Sequence, residues 1–373
     1  MARYIHQLRD WPHFQWNREQ VYRLLVAVRH RQGRLLGHME ALSSALQSEA
    51  TLTNLTLEVV KSSEIEGEVL NPDQVRSSIA RQLGIDMAGM VPADRHVDGV
   101  VEMTLDATQH YDSLLTADRL YGWHAAMFPT GYSGMYKIFI GGWRNNPKED
   151  PMRVVSGGMG REKVHFQAPD ADKLDVEMTG FLEWFNAPAA EDPVIKAAIA
   201  HLWFVTIHPF DDGNGRIARA ITDMQLARAD ESARRFYSMS AQIRIERNSY
   251  YDILESTQQG TLDITDWLTW FLQCLDRALM STDQILTTVI RKAHFWKNPV
   301  TQVLNKRQIL LLNRLLDGFE GKLTSSKWAK IAKCSQDTAL RDIQQLLDLS
   351  VLIKATAGGR SASYELNEAL WEK

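Results

Sequence analysis

The chain has 373 residues, 45% hydrophobic and 24% charged, with a formal net charge of −4. At roughly 100–200 residues per domain this implies two or three domains with ample core, and it excludes a largely disordered chain. A mildly acidic whole chain is not a nucleic-acid coat, although a local basic face stays open.

Two cysteines, Cys274 and Cys334, stand far apart. That pattern excludes a disulfide scaffold or a cysteine zinc site and fits a reducing cytoplasm. The opening MARYIHQLRDWPHFQW lacks the apolar run of a secretion signal. No stretch approaches the ~20 apolar residues of a spanning helix, so no membrane association is expected.

In chain order, Val21-Tyr22-Leu24-Leu25-Val28 repeats apolar residues at helical spacing. Asn71-Pro72 reads as a cap followed by proline at the first helical position, and Gly84 closes that helix. Between Gly131 and Pro169 lie seven of the 22 glycines. Two β-branched runs, Arg153-Val154-Val155 and Lys163-Val164-His165-Phe166, flank Ser156-Gly157-Gly158-Met159-Gly160. This predicts a β-hairpin with a mobile tip, with an irregular loop as the alternative.

Asp192-Pro193 opens a second capped helix, Val194-Ile195-Ala198-Ile199-Leu202-Val205. A third runs through Trp267-Leu268-Trp270-Phe271-Leu275-Leu279, and Lys297-Asn298-Pro299 marks a domain boundary. Beyond it, helices are expected at about 306–317, 325–333 and 336–349. A strand at 351–354, a turn at Gly358-Gly359-Arg360 and a return at 362–366 complete a winged helix-turn-helix pattern. The expected fold is mainly α.

The chemistry concentrates in His208-Pro209-Phe210-Asp211-Asp212-Gly213-Asn214-Gly215-Arg216-Ile217-Ala218-Arg219. Helical patterns precede and follow it, so Gly213-Asn214-Gly215 forms the turn at a helix amino terminus. Glycines there leave no Cβ in the way, and backbone N–H groups with the helix dipole favour an anion. Arg216 and Arg219 are cationic forks suited to phosphate. Asp212 is a hard oxygen ligand for Mg²⁺ or Mn²⁺ shared with phosphates. His208 can be neutral near pH 7 and remove a proton from a hydroxyl. These are the parts of a phosphate-transfer site.

The stretch HPFDDGNGRIAR resembles the Fic family motif HPFx(D/N)GNGRxxR, matching all nine specified positions. The resemblance implies a helical core with one β-hairpin flap, and transfer of AMP from ATP to a Ser, Thr or Tyr hydroxyl of a protein target. It implies His208 as base and Asp212 as metal ligand. Gly213, Asn214 and Gly215 would hold the α- and β-phosphates, Arg216 and Arg219 the phosphate chain, and a buried Phe210 the loop. Lys163, Val164, His165 and Phe166 would clamp the target segment by strand addition. Tyr250 and Tyr251 followed by Gln258 resemble the family's adenine-side YY…N, with Gln258 standing where relatives have Asn.

Lys61-Ser62-Ser63-Glu64-Ile65-Glu66-Gly67 contains (S/T)xxxE(G/N), which marks an inhibitory helix in Fic relatives. On a helix over about 53–66, Val59, Ser62 and Glu66 share a face and Gly67 leaves Glu66 at the tip. A carboxylate there pairs with an arginine; if that is Arg219, the place of the γ-phosphate is taken. Some relatives also remove AMP, with this glutamate orienting water.

The expected organisation is an amino-terminal helical region, 1–104, with a Trp11-Pro12-x-Phe14 start, then a Fic core, 105–290, and the winged helix, 300–373. From residue 301 onward the chain carries eleven Lys+Arg against eight Asp+Glu, a net of +3. The expected recognition helix has Arg341, Gln336, Gln344 and Gln345 but also Asp337, Asp342 and Asp348, which leaves DNA and protein contact both open. Self-modification and a homodimer are open as well. The rival functions are phosphoryl or other nucleotidyl transfer on the same fold, and a DNA-binding regulator switched by self-modification.

Overall fold

The computed structural model describes residues 3–369 apart from 88, 158–162, 189, 317, 320, 356–361 and 368. Among the described residues it is mainly helical, with three small two-stranded antiparallel sheets. The first helices are α1 (Arg18–Glu40), α2 (Ser44–Ile65), α3 (Pro72–Gln82), α4 (Arg95–Gln109) and α5 (Ala117–Met127). Strands β1 (Tyr132–Ser133), β2 (Tyr136–Lys137), β3 (Arg153–Ser156) and β4 (Lys163–Gln167) follow. Next come α6 (Leu174–Asn186), α7 (Pro193–Ile207), α8 (Asn214–Asp230), α9 (Met239–Ile245), α10 (Arg247–Gln258) and α11 (Thr265–Lys297). The tail holds α12 (Lys306–Leu316), α13 (Ser325–Ile331), α14 (Gln336–Asp348), β5 (Leu352–Lys354) and β6 (Tyr364–Leu366).

Local chemistry sets several of these ends. The Asn71 side chain accepts from the Asp73 and Gln74 amides at the start of α3, and Asp192 accepts from Val194 at the start of α7. Each is followed by proline at the first helical position, where its missing N–H costs nothing. Gly84 ends the α3 segment in the left-handed region, φ +66°.

Helix α7 is buried at every position after Pro193. It is apolar all round, and such a helix belongs at a core's centre. Helix α8, nearly as buried, packs along it. The loop joining them, residues 208–213, therefore hangs between two deeply buried helices.

The main core runs from Val21 in α1 to Leu279 in α11. Helix α4 runs unbroken through residue 105, so the expected boundary there falls inside a helix. Tyr22, counted with the apolar face of α1, is 64% exposed. A second core gathers Leu311, Trp328, Ile343 and Leu346 around Phe295, near the end of α11. Its three helices and β5–β6 pair keep the expected order; the turn at 358–360 lies outside the described residues. Among the described residues, no helix is long and apolar enough to cross a membrane.

The predicted hairpin is present as β3–β4, with Val154 opposite Phe166 and Ser156 opposite Lys163. Its tip, including Gly158, Met159 and Gly160, lies outside the described residues.

Candidate functional site

His208 caps α7 in the left-handed conformation, φ 53° and ψ 57°. This is uncommon for a residue with a Cβ and turns the chain sharply out of the helix. The ring Nδ1 lies 3.2 Å from the Val205 carbonyl. Donation there leaves Nε2 with its lone pair. Burial pushes the pKa down to about 4, so the ring is neutral near pH 7.

The loop after His208 is locked from both sides. Phe210 is fully buried and stacks on His124 at 4.3 Å between ring centroids. The Asn214 side chain accepts from the Phe210 amide at 2.9 Å and donates to the Phe210 carbonyl at 2.8 Å. Gly213 sits at φ +80°, and a Cβ there would stand 2.9 Å from Met127 Cε. Buried Arg144 donates to the carbonyls of His208, at 2.8 Å, and Pro169, at 2.6 Å, tying the loop to the base of the β3–β4 hairpin. Nothing in the local pattern marks Arg144; it acts across 64 residues.

Helix α8 starts at Asn214 with no side chain capping its first turn. The amides of that turn lack intrahelical partners. Arg219 and Arg216 are buried beside them, at 2% and 5% exposure, and Arg219 Nη1 and Arg216 Nε have no hydrogen-bond partner. An open helix end with unfilled buried guanidinium donors is built for an anion. Asp212 accepts from the Gly213 amide at 2.6 Å and from the Ser133 hydroxyl. Among the described residues no group of three or more His, Cys, Asp or Glu could hold a metal.

The end of α2 faces this cradle. Glu66 Oε1 lies 2.8 Å from Arg219 Nη2. The same arginine donates from Nε to the Ser62 hydroxyl and from Nη2 to the Ser62 carbonyl, each at 2.8 Å. Burial works against the Arg219 charge, and Glu66 together with Tyr250 and Tyr251 more than offsets it, so its pKa lies above the ordinary value. Gly67, at φ +86°, turns the chain back. Glu66 Oε1 occupies the space where a side chain at Gly215 would begin, 2.2 Å from that Cβ position. The other motif arginine is also occupied: Arg216 Nη1 donates to Glu68 Oε2 at 2.7 Å. Glu68 in turn meets His96 of α4. Neither Glu68 nor His96 stands out in the sequence.

Residues expected on the adenine side divide. Tyr250 is buried with its hydroxyl 2.8 Å from His201, and Gln258 is buried and donates to Thr206 at 3.2 Å. Both are core residues bonded to α7. Tyr251 is half-buried under the Arg247 guanidinium, with its hydroxyl 3.4 Å from the Ile65 carbonyl.

The flap residues divide too. Lys163 is exposed and Val164 half-buried, whereas Phe166 is 1% exposed in a small cluster with Tyr4 and Ala168. His165 is held by Glu255 of α10 at 2.6 Å and by Ser156 at 2.6 Å. The Phe166 side chain is therefore committed to packing, which leaves only its main chain for strand addition. Alternation along β4 turns the side chain to the hairpin's inner face.

Two family models match the chain. One, a domain of unknown function (DUF4172), covers residues 4–85, and one, Fic/DOC family, covers residues 114–226. The Aedes aegypti protein adenylyltransferase Fic is 25% identical over 282 residues, spanning 68% of this chain and 50% of that protein. Its Culex quinquefasciatus counterpart is 26% identical over 256 residues, spanning 64% of this chain and 45% of that protein. The chain thus spans about half the length of these curated relatives. A solved Fic family protein from Desulfovibrio desulfuricans G20 shares the fold at 18% identity, with a TM-score of 0.53 over 93% of this chain and 95% of that one. The complete motif sits between α7 and α8, inside the segment, residues 114–226, that matches the Fic/DOC family, and a helical fold of this kind surrounds it.

Proposed function

We propose that this protein is a Fic-type adenylyltransferase that moves AMP from ATP to a Ser, Thr or Tyr hydroxyl of a protein, and that Glu66 holds it inactive. The observation that carries the reading is the placement of a neutral, inward-held His208 one turn of loop from an uncapped helix start flanked by two buried arginines.

The triphosphate lies along the first turn of α8, where amides, Arg216 and Arg219 bind its oxygens. His208 Nε2 takes the proton of the target hydroxyl. The hydroxyl oxygen forms a bond to the α-phosphorus, and the bond from that phosphorus to the bridging oxygen breaks, releasing pyrophosphate. Arg216 and Arg219 stabilise the charge on the leaving group. A single carboxylate, Asp212, fits a metal whose other ligands come from phosphate and water, so Asp212 would hold Mg²⁺ or Mn²⁺. Such an ion neutralises phosphate charge when bound.

Glu66 on Arg219 takes one of the γ-phosphate's partners, so ATP binds weakly or with its α-phosphate out of line. The test is transfer from ATP labelled at the α- or the γ-phosphate, using Glu66→Gly. The α-label should enter protein and the γ-label should not; entry of the γ-label would replace this reading with phosphoryl transfer.

A nucleic-acid contact through α14 is a second reading, favoured by one observation. Asp342, one of the acids that argued against it, is turned inward onto Arg307 at 2.8 Å, leaving Arg341, Gln344 and Gln345 exposed. A gel shift with duplex DNA tests it, and absence of salt-sensitive binding would dismiss it.

A further inference from the structure

We propose that Glu68 is a second carboxylate withholding the motif from nucleotide, so that the turn ending α2 covers Arg219 and Arg216 as one unit. This rests on the nucleotide-binding reading above and extends it to a residue and an arginine outside the (S/T)xxxE(G/N) pattern.

Three observations carry it. Arg216 is almost wholly buried, lies over the Phe128 ring at 5.1 Å, and has Glu68 Oε2 on its Nη1 at 2.7 Å. Its side chain therefore points at one place, and a carboxylate already sits there. Second, the turn is internally tied. The amides of Glu66 and Glu68 both donate to the Ser63 carbonyl, at 3.1 and 3.0 Å, and Gly67 donates to Glu64 at 3.1 Å. Glu66 cannot withdraw from Arg219 by moving the backbone without carrying Glu68 from Arg216.

Third, Glu68 is anchored from behind. Its other oxygen, Oε1, meets His96 Nε2, while His96 Nδ1 lies 2.9 Å from the Met127 carbonyl. Glu68, beside Nε2, raises the pKa of His96 above its ordinary value. Glu68 thus bridges α4 to the motif, a contact that helps keep the α2 turn in place. A phosphate entering against Arg216 must displace it.

The experiment measures ATP and adenosine binding by calorimetry for wild type, Glu66→Gly, Glu68→Gln and the double variant, with melting curves to establish folding. Glu68 is about one-third exposed, so the isosteric Gln should be accommodated. Glu68→Gln should tighten ATP, and the double variant should exceed Glu66→Gly by roughly tenfold, within the usual span of coupling between sites. Adenosine has no phosphate to compete for Arg216 and should bind all four alike; a general loosening of the site would move both ligands. Glu68→Asp, which keeps the charge, should retain part of the block.

ATP affinity equal in Glu66→Gly and the double variant would overturn the role of Glu68 alone. Weaker ATP binding in Glu68→Gln would overturn it too, making Glu68 a support that holds Arg216 for phosphate. No ATP binding in any of the four folded proteins would overturn the nucleotide reading itself, and this proposal with it.

Discussion

His208 is the residue on which the proposed chemistry turns. Replacing it by Ala should abolish transfer in the Glu66→Gly background, by 10²–10⁴-fold at the usual worth of a general base. ATP binding should persist, because the ring holds a carbonyl and not the phosphate cradle. Near-native transfer by His208→Ala would remove it as base. Three histidines are held neutral by burial: His208 and His124 at about 4, and His201 at about 3. Unfolded, each would bind a proton near its ordinary 6.5. Between pH 6.5 and 4 the unfolded chain therefore binds more protons, and stability falls as pH falls through that window. Melting temperatures at pH 7, 6 and 5 should descend; a flat series would show that these rings do not pay a burial penalty on charging. At this scale the motif was legible because its groups share twelve consecutive residues. Arg144 and Glu68 were not: their contacts span 64 and 148 residues, and a single charged side chain carries no mark of its distant partner.

Among the elements, α2 is at once scaffold and proposed inhibitor. Its second half is fixed by Glu58, which accepts from the Ser238 hydroxyl at 2.7 Å and the Ser240 amide at 3.0 Å. Its last turn is fixed by Arg247 on the Ile65 carbonyl at 2.7 Å and by Arg219 on Ser62. These arginines satisfy carbonyls that a helix end leaves open. Glu66→Gly should raise self- or target labelling at least tenfold, which needs only about 1.4 kcal/mol of bias against the productive pose. Ser62→Ala removes one bond to Arg219 and should raise labelling less; equal labelling by wild type and Glu66→Gly would end the inhibitory assignment. The caps at Asn71 and Asp192 were readable because capping is local. The start of α2 at Ser44 was not, and the expected helix began nine residues later. Ser and Thr crowd its first half, and they compete for backbone bonds in isolation. Burial of Ala50, Leu52 and Leu55 decides the matter instead.

Over the whole molecule, two separate cores share one helix, since α11 begins in the main core and delivers Phe295 to the smaller one. Arg314 of α12 also pairs with Asp73 of α3. Trp328 is fully buried at the centre of the smaller core, and Trp328→Ala should cost it about 3–5 kcal/mol. Scanning calorimetry of this variant should shift one transition and leave the other in place, with ATP binding intact. Loss of both together would mean that the cores unfold as one. The β3–β4 hairpin, read from two short β-branched runs, formed where expected. Phe166 nevertheless turned inward, because its neighbours include Tyr4, 162 places earlier in the chain.

The order of the parts along the chain has a bearing on how the protein is made. Ser62 and Arg219 meet across 157 residues, and the segment proposed to inhibit comes first. Chains fold from the amino terminus as they are synthesised. By the time the ribosome releases the HPFDDGNGRIAR segment, Glu66 and Glu68 have long been outside the exit tunnel. The transferase proposed here would then have its two carboxylates at hand when the cradle forms, while the residues that pin α2, Ser238, Ser240 and Arg247, emerge only after the motif.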